Sequence, residues 1–115
     1  MMRTNFQFEN QNITMVRGDT LAFNTEIRDD DGNVVTVDSA DFSCKKRLLD
    51  EERIFHKTLG NGISQGNGYV SVRVAPEDTQ EIEAGRYFYD YQIGIGEDRY
   101  TLMKGVLTIE QDVSF

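Results

Sequence analysis

The chain holds one cysteine, one proline, one histidine and no tryptophan, and each scarcity removes a class of explanation. Cys44 can form no internal disulfide and cannot by itself assemble a thiolate metal site. One proline in 115 residues, together with 38% hydrophobic residues, excludes a proline-rich linker or a disordered chain. Apolar runs are only a few residues long, far short of the ~20 that a membrane-crossing helix needs, so no membrane insertion is expected. Basic residues are also scarce: 12 Lys and Arg stand against 20 Asp and Glu, for a net charge of −8. A nucleic-acid partner demands a basic stripe, so none is expected. An acidic surface favours solubility but identifies no ligand. The start, Met1-Met2-Arg3-Thr4-Asn5, runs into polar residues without the apolar segment of a signal peptide. That start is expected of a protein kept in a cytoplasm or released without a signal.

What is present is alternation. At this length the chain is expected to be one domain that buries roughly two thirds of its unfolded surface, without staples. Leu21, Phe23, Thr25 and Ile27 recur at period two, and Asp29-Asp30-Asp31-Gly32-Asn33 reads as a hairpin turn into a returning strand, Val34–Val37. A bend at Asp38–Asp41 precedes Phe42 and Cys44 on one face, and the charged run from Lys45 to Glu52 reads as a solvated strand end and loop. Arg53–Leu59 is a further strand, and the glycines of residues 60–68 make turns around Ile63 as a core plug. Tyr69–Val74 follows, with Val70, Val72 and Val74 inward. Pro76–Ile82 reads as the one helical turn, because proline and acidic residues suit a helix start. In the last strand, Arg99–Glu110, the apolar phase slips near Gly105, the usual mark of a β-bulge. Residues 1–12, with Phe6 and Phe8 alternating, are either an N-terminal arm or an edge strand.

Four stretches invite a chemical reading. Arg17-Gly18-Asp19 is the integrin-binding tripeptide by resemblance, but a tight bend between strands accounts for Gly18 more simply. Asp29–Asp31 lacks the ligand spacing of a calcium loop, since Gly32 arrives too early and valines follow. The glycine-rich stretch has no following Lys-Ser/Thr and leads to a strand, so it is not a phosphate loop. Cys44 and His56 are the only thiol and imidazole, with no third group to orient them; Cys44 is better read as a small buried apolar residue. No catalytic residue, metal site or cofactor is expected.

The most regular stretch is Glu83-Ala84-Gly85-Arg86-Tyr87-Phe88-Tyr89-Asp90-Tyr91-Gln92-Ile93. Tyr87, Tyr89, Tyr91, Ile93 and Ile95 fall on one face; Phe88, Asp90 and Gln92 fall on the other. Its acidic-x-Gly-x-Tyr opening resembles the tyrosine corner of immunoglobulin-like sandwiches, in which the ring packs in the core and its hydroxyl bonds upstream backbone. The resemblance casts Gly85 and Tyr87 as the structural corner, with Gly85 at a tight bend that welcomes positive φ. A tyrosine-rich strand without a corner is the plainer alternative. Tyr89 stands where an antibody domain has its second cysteine, so the likeness is to the sandwich and not to antibodies.

The wider succession is Arg17-Gly18-Asp19-Thr20, Asp31-Gly32-Asn33-Val34, Gly68-Tyr69-Val70-Ser71-Val72, Pro76-Glu77-Asp78-Thr79, Ala84-Gly85-Arg86-Tyr87 and Gly105-Val106-Leu107-Thr108-Ile109, closing on Asp112-Val113. Over residues 13–113 it resembles the small immunoglobulin-like domains of phage and prophage structural proteins of Gram-positive bacteria, such as the N-terminal domain of upper baseplate and tail-fibre proteins. The resemblance implies an all-β, antiparallel sandwich of about seven strands with one short helical turn. It also implies a non-enzymatic virion part, assembled in the bacterial cytoplasm, that docks to other phage structural proteins and forms homo-oligomers. Phe6, Phe8 and Phe115 are the expected docking contacts. In those baseplate proteins a stalk and a receptor-binding module follow the domain; this sequence ends at Phe115, so receptor recognition is not part of the expectation. The alternative is a carbohydrate- or cell-surface-binding sandwich, with Phe88, Asp90 and Tyr100 as its platform.

Overall fold

The computed structural model describes residues 9–66 and 68–113. The regular structure is nearly all β, with 60% of residues in strands: β1 (Glu9–Asn10), β2 (Ile13–Val16), β3 (Leu21–Glu26), β4 (Ser39–Lys45), β5 (Phe55–Leu59), β6 (Gly62–Gly66), β7 (Tyr69–Val74), β8 (Gly85–Ile95) and β9 (Asp98–Glu110). One helical turn, α1 (Pro76–Thr79), links β7 to β8. The nine strands form one hydrogen-bonded sheet in the order β1-β9-β8-β4-β5-β6-β7-β3, with β2 also on β9. It curls nearly into a barrel.

Among the described residues there are nine strands where about seven were expected, and the pairing is not wholly antiparallel. β1 and β2 both run parallel to β9, and β5 meets β6 in a two-residue parallel contact, Thr58↔Gly62 and Leu59↔Ile63. The β5–β6 contact joins two halves of the sheet. Gly60 (φ 91°) and Gly62 (φ 91°) let the chain double back there, because only glycine adopts that region without strain. The expected run of turns around Ile63 is therefore a strand, with Ile63 buried at 1% exposure. The halves then face each other: Phe23 on β3 lies 5.7 Å from Phe42 on β4 and 5.6 Å from Tyr91 on β8, centroid to centroid.

Alternation settles which side chains fill the space between. Val70, Val72 and Val74 on β7 and Tyr87, Tyr89, Tyr91 and Ile93 on β8 are all buried, with Phe42 and Cys44 on β4 and Leu107 and Ile109 on β9. Thr79 of α1 is fully buried and accepts the Gly18 N–H at 2.9 Å, which pins the helical turn to the β2–β3 connection.

Three expectations need correction. Val34–Val37 is not a strand; only Val34 bridges, to Arg28. Val35 and Val37 are nonetheless core residues: the Val35 N–H donates to Ile27 O at 3.3 Å, and the Gln65 side chain serves the backbone of Val37, accepting its N–H at 3.1 Å and donating to its carbonyl at 2.9 Å. The strand that begins with Phe42 in the sequence reading begins at Ser39, inside the expected bend. The bulge lies at Leu102: Tyr91 pairs with Met103 and Gln92 with Thr101, leaving Leu102 unopposed.

Gly105 has another task. A β-carbon there would collide with the backbone carbonyl of Gln11 and come within 3.0 Å of Asn12 Oδ1. Glycine is what lets the chain cross β9 between β1 and β2. The same carbonyl, Gln11 O, accepts the hydroxyl of Tyr89, which pairs with Gly105 across β8 and β9.

Candidate functional site

Period two turns the polar residues of β4, β5, β8 and β9 outward onto one face. Phe88 and Asp90 project from β8; the register sets Lys45 beside Phe88 and Ser43 beside Asp90 on β4, with Lys104 beside Asp90 on β9. His56 on β5 stands opposite Ser43. Ser43, Lys45, Leu48, Phe88, Asp90 and Lys104 line an open cleft of about 190 Å³. Its apolar part is exposed: Phe88 at 36% and Leu48, on the loop after β4, at 69%.

Beside the cleft, Asp41 organises the polar groups of β4 and β5 on the same face. Its Oδ1 accepts the Ser43 hydroxyl at 2.6 Å and its Oδ2 lies 2.5 Å from His56 Nε2. Serine and histidine are thus both held by the aspartate, and the serine proton points to Asp41 rather than to the imidazole. Partial burial pushes the Asp90 carboxyl above the usual carboxylate range, and the charge of Asp41 adds to this, while Lys45, Arg53 and Lys104 oppose it. Cys44 is on the other side of the sheet, inside the core, where burial pushes its thiol up to about 12. Cys44 and His56 therefore lie on opposite faces and make no pair. No group of three or more metal-ligating side chains occurs among the described residues, and no helix among them is long and apolar enough to cross a membrane.

The tyrosine opening of β8 makes a specific bond. Tyr87 is buried, and its hydroxyl donates to the carbonyl of Glu83, four residues upstream. Gly85 differs from expectation: it starts β8 without a positive φ, and a β-carbon there would meet only the Tyr87 ring, at 4.0 Å. The expected platform of Phe88, Asp90 and Tyr100 does not assemble, because Tyr100 pairs with Ile93 and packs against the core. Phe6, Phe8 and Phe115 lie outside the described residues. Val113, the last described residue, is 98% exposed.

Arg17 is committed to structure: its Nε donates to Asp112 Oδ1 at 2.7 Å and its Nη1 to Ile82 O at 3.4 Å. This pair ties the end of β2 to the segment after β9, and no local pattern announced it. Leu48, Lys45, Lys104 and the Asp41 contacts also escaped the sequence reading. The alternation of β4 sets Ser43 and Lys45 outward, but no local pattern shows that β4 pairs with β8.

No protein-family model matches the chain, and neither does any curated protein sequence.

Proposed function

We propose that the chain is an immunoglobulin-like sandwich module that serves as a non-enzymatic structural part of a phage or prophage particle, in a baseplate, tail or fibre, and docks to other proteins of that particle. In this reading β2-β9-β8-β4-β5 is one layer and β3-β7-β6 the other, with the β5–β6 contact as the point where the chain changes layers. The observation that carries it is the Tyr87 hydroxyl bonded to the Glu83 carbonyl at the entry to β8, the bond a tyrosine corner makes. Docking is supported by the outward Phe88 and Leu48 beside Lys45 and Lys104, an aromatic centre with a charged rim of the kind that anchors protein contacts. The terminal aromatics Phe6, Phe8 and Phe115 are proposed as further contacts.

Immunogold electron microscopy of particles released by inducing the source strain tests the proposal. Label on the tail end supports a baseplate or fibre part, and label on the capsid moves the module to the head. Unlabelled particles in a lysate that contains the protein would overturn the virion reading. A saccharide-binding role is the second reading, favoured by Phe88 and Asp90 lining one cleft. Calorimetry with cell-wall glycans at millimolar concentration tests it; no heat of binding removes it.

A further inference from the structure

Three connections that are far apart in sequence meet where β2 and β9 end. The β2–β3 turn is held from two sides: the Arg17 N–H donates to Glu110 O at 2.9 Å, and the Gly18 N–H to the Thr79 hydroxyl at 2.9 Å. Arg17 draws the segment after β9 to the same place, its Nε donating to Asp112 Oδ1 at 2.7 Å. Between these connections and the chain that follows α1 lies a second cavity, of about 160 Å³, lined by Arg17, Gly18, Gln80, Glu81 and Asp112. Gln80 and Glu81 are exposed at its rim. Asp112 is its buried wall, at 7% exposure.

The pairing of Asp112 is half made. Its Oδ1 holds Arg17, but its Oδ2 is buried and accepts no hydrogen bond among the described residues. Folded proteins seldom leave a buried acceptor without a donor, because the lost hydration is not repaid. The surroundings define the donor that fits. Arg17 is offset by Asp112, so Glu81 leaves the cavity with a negative charge in excess. Asp112 Oδ2, the Glu81 carboxylate and the Gln80 amide oxygen are three acceptors. A primary ammonium carries three donors, no acceptor and a single positive charge. Calcium would need about six or more oxygen ligands, and no group of three metal-ligating side chains occurs among the described residues.

We infer that this cavity receives a primary ammonium group, presented as a lysine side chain by a protein partner. The ammonium donates to Asp112 Oδ2 at the wall and to Glu81 and Gln80 at the rim. The slender four-carbon stem of lysine carries a compact charge past such a rim, where the wider fork of arginine would be held outside. The protein source of the lysine rests on the docking role proposed above; the ammonium site does not.

Chemical-shift titration of the isotope-labelled full chain at constant ionic strength is the test, with circular dichroism to verify folding of each variant. The first probe is n-butylammonium, a lysine side chain without its backbone. The amides of Gly18, Gln80 and Glu81 are expected to shift to saturation at millimolar probe. Glu81→Gln, at an exposed position, is expected to weaken binding about threefold. Asp112→Asn, which can turn a donor toward the probe, is expected to weaken it about tenfold. Tetramethylammonium has the same charge and no donor, and no saturable shift is expected from it. The second probe is a single lysine flanked by glycines and capped at both ends, expected to bind as n-butylammonium does.

No saturable shift with n-butylammonium overturns the inference and leaves the Asp112 oxygen to water. Equal binding of tetramethylammonium overturns it too, as does binding that both substitutions leave unchanged. If n-butylammonium binds and the capped lysine does not, the protein source is overturned and the ligand is a free amine. The virion reading is decided separately: gold on particles with no amine binding sinks only the ammonium site, and amine binding without gold sinks only the virion role.

Discussion

The two halves of the sheet fill one core with different chemistry. The β7 and β6 side contributes aliphatic groups, Val70, Val72, Val74 and Ile63. The β8 and β4 side contributes rings, with Phe42 stacked on Phe55 at 5.9 Å and on Tyr89 at 5.5 Å. Aliphatic side chains supply buried area and nothing directional. The tyrosines supply area and a hydroxyl, and two of those hydroxyls reach chain segments that belong to no neighbouring strand: Tyr87 holds Glu83 and Tyr89 holds Gln11. One half is filler; the other also routes the chain into β8 and across β9.

Phe42→Ala is the severest test of that contrast. It empties a site with no solvent exposure and four ring neighbours, and chemical denaturation should show a loss of about 3–5 kcal/mol. Val72→Ala on the aliphatic side should cost about 2 kcal/mol, from two lost methyl groups and a small cavity. Equal losses at the two positions would break the comparison.

Gly105→Ala comes next. It drives a methyl group into the Gln11 carbonyl, and an overpacking cost of about 1–3 kcal/mol is expected. Hydrogen exchange should show the loss concentrated in β1 and β2, since these are the strands whose seating on β9 the glycine permits. Tyr89→Phe and Tyr87→Phe keep the rings and remove only the hydroxyls, for about 1 kcal/mol each. Exchange near Gln11 should rise in the first variant and near Glu83 in the second; uniform destabilisation by both would mean the hydroxyls route nothing.

The smallest effect concerns the outer face. The Asp90 carboxyl is raised by burial and then by Asp41. The folded chain therefore keeps that proton to higher pH than the unfolded chain does. Its stabilising contribution is present below the ordinary aspartate range and is lost as pH rises through the raised value. Asp90→Asn should gain on the wild type between pH 4 and pH 7 in thermal melts, by no more than about 0.5 kcal/mol at a partly exposed site. A gap that narrows over that range would contradict the assigned direction. Cys44, with its thiol pushed up to about 12 in the core, should resist alkylation at pH 8 until the protein unfolds.

The inner faces were legible because side-chain period is a local property. Val70, Val72, Val74, Tyr87, Tyr89 and Tyr91 are where alternation put them. The same logic misplaced the bulge. Gly105 is conspicuous, and a glycine at a phase change suggests a bulge, but the extra residue is Leu102 and the glycine answers to Gln11. Val34–Val37 reads as a strand because valines alternate there, yet its bonds are scattered: Val34 bridges to Arg28, Val35 donates to Ile27 O, and a side chain, Gln65, serves Val37. Tyr100 was grouped with Phe88 and Asp90 by composition, and the pairing with Ile93 turned it to the other side.

By itself the sequence determined an all-β chain, which residues of its strongest strands face inward, and where the one helical turn falls, because these follow from periodicity and turn chemistry over a few neighbouring residues. Only the tertiary structure decided the strand order, the parallel seating of β1 and β2 on β9, the pairing of Arg17 with Asp112 across 95 residues, and the meeting of Lys45, Phe88 and Lys104 around one cleft. Those contacts join segments whose local patterns are complete without one another. Burial of both halves against a common core, rather than any signal along the chain, selected them.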